Sequence, residues 1–510
     1  MTPVHELLAH TAARVPTKLA LVETDITYRL LDARARSLAT SFAARGVSPG
    51  DRIVIWLPKS AAYVISIFGA LAAGAAYVPL DATQPVARVR AILADCEPKA
   101  LVTTPALLAS VMQLPASIDA AWLVGEGADP TAVDRRLISF DTAVATPADC
   151  RARTIELSEL AAILYTSGST GTPKGVMISH LNLANFIAWA RDEMDLRETD
   201  VFSNHASFNF DLSTFDLFAA VAVGASLWVI PDGSARNAAA LAAGIARHRI
   251  TVWYSVPSVL ALLLESGQVT PEMVAPIRYL LFAGEVFPIK QLRRLREVLP
   301  HTAQLYNLYG PTETNVCTFH RVGELDPDRQ VPVPIGRAIT GARLRVVDAN
   351  GSDVAAGELG ELIVEGPCVT PGYFRRPHDP NAENHRNNRH ATGDIVGYEG
   401  DELVYRGRKD RMVKLGGFRV ELGEIEAALL RHTAIEEAAV LTIDGDGGTR
   451  LVAFCSPDAA PGLLEIKTHC GALLPRYMIP HGVVRMAALP KNANGKIDYL
   501  QLRAAARELT

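Results

Sequence analysis

The chain has 510 residues, 49% hydrophobic and 21% charged, with a net charge of −5. That balance excludes a disordered chain, and the missing basic excess excludes a nucleic-acid-coating surface. The length exceeds one compact core and suggests about three folding units.

In chain order, the N-terminus MTPVHELLAHTAARVP lacks a basic segment followed by an apolar one, so no signal peptide is expected. The most apolar stretch, IVIWLPKSAAYVISIFGALAAGAAYVPL (53–80), is split by Pro58 and Lys59. It reads as strand, helix and strand buried in a core, so no membrane span is expected. The runs AAILYTS (161–167), TVWYSVP (251–257) and YLLFAG (279–284) alternate with alanine-rich helical stretches. That rhythm predicts α/β units with buried, largely parallel strands.

After about residue 340 the pattern changes. LRVVD, GELGELIVEG and DELVYRGRKD are short strands between Gly, Asp and Asn turns, which predicts a hairpin-rich subdomain. HRNNRH (385–390) is polar and reads as an exposed loop. From residue 411 come a glycine hairpin (MVKLGGFRVE), a charged helix (ELGEIEAALLRH) and a small αβ set, with AAVLTID and LVAFCS as strands and LLEIKTHCGALL as a helix. A core over 1–409 and a separate C-terminal domain over 410–510 are expected, joined at GRKD. Six cysteines without C-x-x-C spacing argue against a zinc site or disulfide framework and for reduced thiols in the cytoplasm.

The strongest local signal is LYTSGSTGTPKGVMISH (164–180). An apolar strand ends at Thr166 in a loop holding Ser167, Gly168, Ser169, Thr170, Gly171 and Lys174. Glycines let a backbone approach a polyphosphate, hydroxyls and amides donate to its oxygens, and lysine adds a point charge. A Walker A loop would need Gly-Lys-Ser/Thr, whereas Pro173 precedes Lys174 and Gly175 follows it. The plainer reading of such composition is a surface turn.

SGSTGTPKG resembles the phosphate loop of the adenylate-forming superfamily: acyl-CoA synthetases, luciferases and the adenylation domains of nonribosomal peptide synthetases. The resemblance runs through ITYRLLDARARSLA (26–39), GAAYVPLDATQP (74–85), NLYGPTE (307–313), GELGELIVEGPCVTPGYFRRP (357–377), TGDIV (392–396), GRKDRMVKLGGFRVELGEIE (407–426) and LPKNANGKID (489–498), in the family's order. It implies an α/β fold with two α/β subdomains, a small β-rich subdomain and a mobile α+β C-terminal domain. It also implies ATP and Mg²⁺ as cofactors.

Roles carry over by motif. Asn307 should meet the adenine edge and Tyr309 stack on its ring, with Gly310 in the same turn. Thr312 and Glu313 should lie near the α-phosphate, Glu313 as a candidate Mg²⁺ ligand, since that ion takes one or two carboxylates plus phosphate oxygens. Asp394 matches the ribose-binding aspartate, Arg408 is expected at ribose or phosphate, and Asp410 matches the hinge. Lys496 resembles the catalytic lysine that bridges substrate carboxylate and α-phosphate, where a positive charge favours the transition state. Lys414 with Gly416 and Gly417 sits where the family presents a second face for thioester formation.

SFNFDLSTFDLF (207–218) resembles the amino-acid-binding motif of peptide-synthetase adenylation domains. Asp211 would pair with the substrate's ammonium, because a buried amine without a counter-ion is costly; the alternative is an aspartate capping the following helix. The lining read by motif is Asp211, Leu212, Phe215, Ser255, Leu281, Ala283, Leu308, Val316, Cys317 and Lys496. Apart from its two charged ends it is uncharged, so a small, mostly aliphatic amino acid fits. The set resembles that of stand-alone proline-activating enzymes and departs from it at Phe215 and Ser255. Cysteine, alanine or another small amino acid stays open, since one methylene is worth only about 1–3 kcal/mol.

No carrier-protein motif follows Lys496 and no HHxxxDG appears, so the chain reads as free-standing, handing its acyl group to a separate carrier protein's phosphopantetheine thiol. Coenzyme A is the rival acceptor. An acyl-CoA or aryl-acid ligase is the rival enzyme, which would have no use for Asp211. A non-catalytic relative is the third reading, opposed by intact Lys174, Glu313, Asp394 and Lys496.

Overall fold

The computed structural model describes residues 1–111, 118–125, 136–148, 154–167, 173–355, 357–409, 411–445, 448–491 and 497–507. The chain packs as two compact units. One comprises Met1–Ala82, Asp95–Leu164 and Gly175–Lys409; the other comprises Thr83–Ala94, Tyr165–Lys174 and Asp410–Thr510.

The apolar stretch at 53–80 folds as read: strand Arg52–Leu57, helix Ala61–Ala72 and strand Ala76–Asp81, the strands parallel with Arg52 beside Ala76. They sit in a seven-stranded sheet with Leu160–Thr166 and Lys174–Ser179 at one side. No helix among the described residues is long and apolar enough to cross a membrane.

A nine-stranded sheet positions the amino-acid segment and the NLYGPTE turn. Strands Gln304–Tyr309, Tyr279–Phe282, Val252–Ser255, Val201–Asn204 and Ser226–Val229 run side by side and parallel, and Thr318–Val322 adds antiparallel to Gln304–Tyr309. Both faces are covered, which is why the strands read as continuous apolar runs. Tyr254, Leu281 and Leu308 join one core, while Trp253, Leu280 and Phe282 join another. The side-chain period of two divides each strand between them.

Residues 343–408 form an antiparallel sheet of strands Arg343–Val347, Gly360–Glu365, Arg389–Glu399 and Glu402–Arg408. HRNNRH is not wholly an exposed loop. His385 and His390 are 2% and 3% exposed, with Nε2 of one 2.9 Å from Nδ1 of the other and the rings stacked. Two imidazoles can answer each other's polar edges inside a core, an option the polar composition hid.

In the second unit, hairpin Met412–Leu415 and Phe418–Glu421 turns through Gly416 and Gly417, both at positive φ. That is the two-residue hairpin geometry glycine permits without strain. Helix Leu422–Leu429 and helix Leu463–Gly471 share a core with strands Glu437–Gly445 and Gly448–Ser456. Strand Gly482–Arg485 pairs parallel with Gly448–Ser456.

Candidate active site

The NLYGPTE segment is a strand end locked into a tight turn. Cys317 N–H donates to Tyr309 O at 2.9 Å, Thr314 N–H to Pro311 O at 2.8 Å, and Asn315 takes a φ of +54°. Gly310 is obligatory here: a Cβ at that position would lie 1.7 Å from Asn315 O. Asn307 is anchored by its side-chain N–H to Pro334 O at 2.7 Å, which directs the amide.

Tyr309 donates its O–H to Asp394 Oδ2, and Arg408 donates to Asp394 Oδ1 at 2.7 Å. Asp394 is fully buried and stands directly across the strand pair from Arg408. Two oxygens holding two donors leave further lone pairs for a diol. Burial, with the Asp394 charge second, pushes the Tyr309 phenol well up, so it stays a donor. Of the residues singled out in the sequence, Tyr309, Asp394 and Arg408 thus share one side-chain network, while Asn307 and Gly310 lie on the adjoining strand end and turn.

Glu313 is 1% exposed and accepts from the Tyr373 O–H at 2.5 Å, while its backbone O accepts from Thr370 N–H at 2.7 Å. Thr312 beside it is half-buried. A buried carboxylate with one oxygen held suits an ion that draws its other ligands from phosphate and water; no trio of His, Cys, Asp or Glu among the described residues could hold a metal by itself.

Thr166 ends the strand Leu160–Thr166, Ser167 donates to Arg419 O at 2.8 Å, and Lys174 opens the strand Lys174–Ser179. Gly168, Ser169, Thr170, Gly171, Asp410 and Lys496 lie outside the described residues.

Asp211 occupies the N-cap position of helix Leu212–Val223, yet its side chain makes no capping bond; its backbone O instead takes Thr214 N–H and Oγ1 at 2.9 and 2.6 Å. The plain capping role therefore does not account for it. Phe215, Leu281, Ala283, Leu308, Val316 and Cys317 are all buried in one core, with Leu212 packed against it. Phe215 meets Tyr254 edge-on at 5.5 Å.

Ser255 does not belong with them. It pairs in register with Phe282 on the opposite face, and its Oγ accepts from Trp253 Nε1 at 2.9 Å. Tyr254 stands beside Leu281 and takes the place assigned to Ser255. Its buried OH has no partner among the described residues. Burial first, then the charges of Asp211 and Asp216, raises its pKa. Strand alternation carried through YSVPS would have found it. Ser255 is consequently no departure in the lining.

Comparison with known proteins agrees with this geometry. The AMP-binding enzyme family matches residues 8–374 and the AMP-binding enzyme C-terminal domain matches residues 424–496. An L-proline--[L-prolyl-carrier protein] ligase of Streptomyces coelicolor is 54% identical over 96% of this chain and 94% of its own. One of Pseudomonas fluorescens is 40% identical over 98% and 99%. The structure of amide bond synthetase McbA from Marinactinospora thermotolerans superposes with a TM-score of 0.85 over 99% of both chains, at 21% identity, which speaks for the fold alone. With both family segments matched and relatives aligned over nearly their whole length, this chain belongs to the AMP-binding enzyme family of adenylate-forming enzymes.

Proposed function

We infer that the protein is an AMP-forming ligase that activates L-proline with ATP and then loads it onto a separate carrier protein. The observation that carries this is an aspartate, Asp211, whose side chain makes no capping bond and whose charge reaches the buried Tyr254 phenol, in the core that also holds Phe215, Leu281, Leu308 and Cys317. An ammonium needs a counter-ion where it leaves water, and a pyrrolidine ring needs only apolar walls. The names of the two relatives, 54% and 40% identical, support proline over other small amino acids.

In the first step a proline carboxylate oxygen attacks the α-phosphorus of ATP, the bond to the β-phosphate oxygen breaks, and pyrophosphate leaves. In the second, the phosphopantetheine sulfur attacks the acyl carbon, its proton is lost, and AMP departs. Asn307 and Tyr309 would hold the adenine, and the Asp394–Arg408 pair the ribose. The charge that grows at phosphorus is met by Lys496, and Lys174 and the 166–171 loop meet the departing phosphates. Bound Mg²⁺ would neutralise phosphate oxygens, with the Glu313 carboxylate, fixed by Tyr373, as its protein ligand. We assign 1–409 to the nucleotide and amino-acid sites and 410–510 to the moving catalytic part. The reaction's ATP and the buried thiols fit the cytoplasm.

Amino-acid-dependent exchange of pyrophosphate into ATP tests the reading. L-proline should head a panel including alanine, cysteine and aryl acids. Exchange without amino-acid dependence, or led by an acid without an α-amine, would overturn it.

A further inference from the structure

Lys59, which splits the apolar run at 53–80, is not part of any site described above. It lies between strand Arg52–Leu57 and helix Ala61–Ala72 and is only 7% exposed. Its Nζ donates to three successive backbone carbonyls: Asn204 at 2.7 Å, His205 at 3.0 Å and Ala206 at 3.0 Å. An ammonium has three donors, and all three are spent on one turn of chain. That turn links strand Val201–Asn204 to the segment that carries Asp211.

Other bonds extend the clamp to both ends of that segment. Asn204 Nδ2 reaches Ala206 O and Asp216 Oδ2, each at 3.2 Å, and Asp216 is 1% exposed next to Phe215. The Lys59 ammonium also lies 5.7 Å from the Phe208 ring centroid. The Lys59 backbone N–H donates to Asp232 Oδ2 at 3.0 Å. A purely structural filler would not need a buried charge, since burying one is expensive and a hydrophobic group of similar volume is often at least as stable.

We propose that Lys59 is a positioning residue for amino-acid selection, holding the 204–206 backbone so that Asp211 and Phe215 present the substrate's ammonium and ring sites in register. The proposal rests on the reading that 207–218 binds the amino acid. It distinguishes the amino-acid site, which Lys59 braces, from the nucleotide turn at 307–313, which its bonds do not reach.

The groups facing the ammonium are the carboxylates of Asp81, Asp216 and Asp232, the His205 ring and the three carbonyls. Burial lowers the Lys59 pKa to about 8 against the pull of those carboxylates. Losing a proton leaves a lone pair facing a carbonyl. KM for L-proline in the native enzyme should therefore climb as pH passes about 8, while KM for ATP stays level.

The variants are K59M and K59M/D216N, assayed by pyrophosphate exchange beside D211A. K59M should raise KM for L-proline about tenfold or more with KM for ATP changed less than about twofold, and should lose the alkaline rise. The double variant, relieved of an uncompensated carboxylate, should melt no lower than K59M and keep the raised KM. It carries the test if K59M fails to fold. Native KM for L-proline in the folded variants, or parallel rises for ATP and proline, would overturn the proposal. Unchanged KM in D211A would instead sink the amino-acid reading of 207–218. A large D211A effect beside native-like K59M sinks Lys59 alone.

Discussion

Replacing Asp211 separates a charge partner from a helix cap. Removing one member of a buried, hydrogen-bonded charge pair costs about 2–5 kcal/mol. Asp211 is half-buried, so water screening argues for the lower end, about 2–3 kcal/mol. At about 1.4 kcal/mol per tenfold, D211N should lower kcat/KM for L-proline roughly 30- to 150-fold. A cap would behave differently. D211A would then cost about 0.5–2 kcal/mol of stability, whereas D211N would cost almost nothing because Asn caps as well as Asp. Since the side chain makes no capping bond, both variants should unfold within about 0.5 kcal/mol of the native protein. The assays are proline-dependent pyrophosphate exchange with ATP saturating, and denaturant unfolding of the same preparations. D211N with native kcat/KM, or D211A that is clearly less stable while D211N is not, would refute the ammonium argument and restore the cap.

Two further variants probe the nucleotide half. G310A places a Cβ where Asn315 O stands, so the 310–317 turn must move; overpacking of this kind costs about 1–3 kcal/mol. KM for ATP should rise and the melting point fall, and a G310A enzyme with native values of both would show that the turn gives way freely. K496A should lose most prolyl-AMP formation, a drop of about 100-fold or more if the lysine meets charge only in the transition state. Near-native exchange in that variant would remove Lys496 from the reaction.

The fold was legible wherever one signal dominated. Buried parallel strands such as Tyr279–Phe282 are short apolar runs, and the Gly416–Gly417 hairpin announces its turn. The turn at 307–317 was legible as a turn because NLYGPTE carries a glycine that a close backbone approach explains. Legibility failed where two adjacent residues compete for one face. Tyr254 and Ser255 differ by a single position, and a proline two residues later is too loose a ruler to say which points inward. Register with Leu281 and Phe282 decides it. It failed again at His385 and His390, whose partnership is set by stacking across a turn that composition cannot express.

Four unsatisfied polar atoms lie near the Asp211 segment. Buried polar groups are nearly always paired, and leaving one unpaired costs about 1–3 kcal/mol. Among the described residues such atoms are scattered along the chain, at Thr103 and Arg389 for example, and Asn204 Oδ1, Asn209 Oδ1, Asp216 Oδ1 and the Tyr254 OH are four of them. These four lie on strand Val201–Asn204, strand Val252–Ser255, helix Leu212–Val223 or the link that carries Asp211. Apolar residues of similar volume would remove that cost. On the amino-acid reading of 207–218, these four atoms would offer hydrogen-bonding capacity to a polar guest. The α-amine and carboxylate of an amino acid would bring that capacity into use, whereas a fatty or aryl acid without an amine would not.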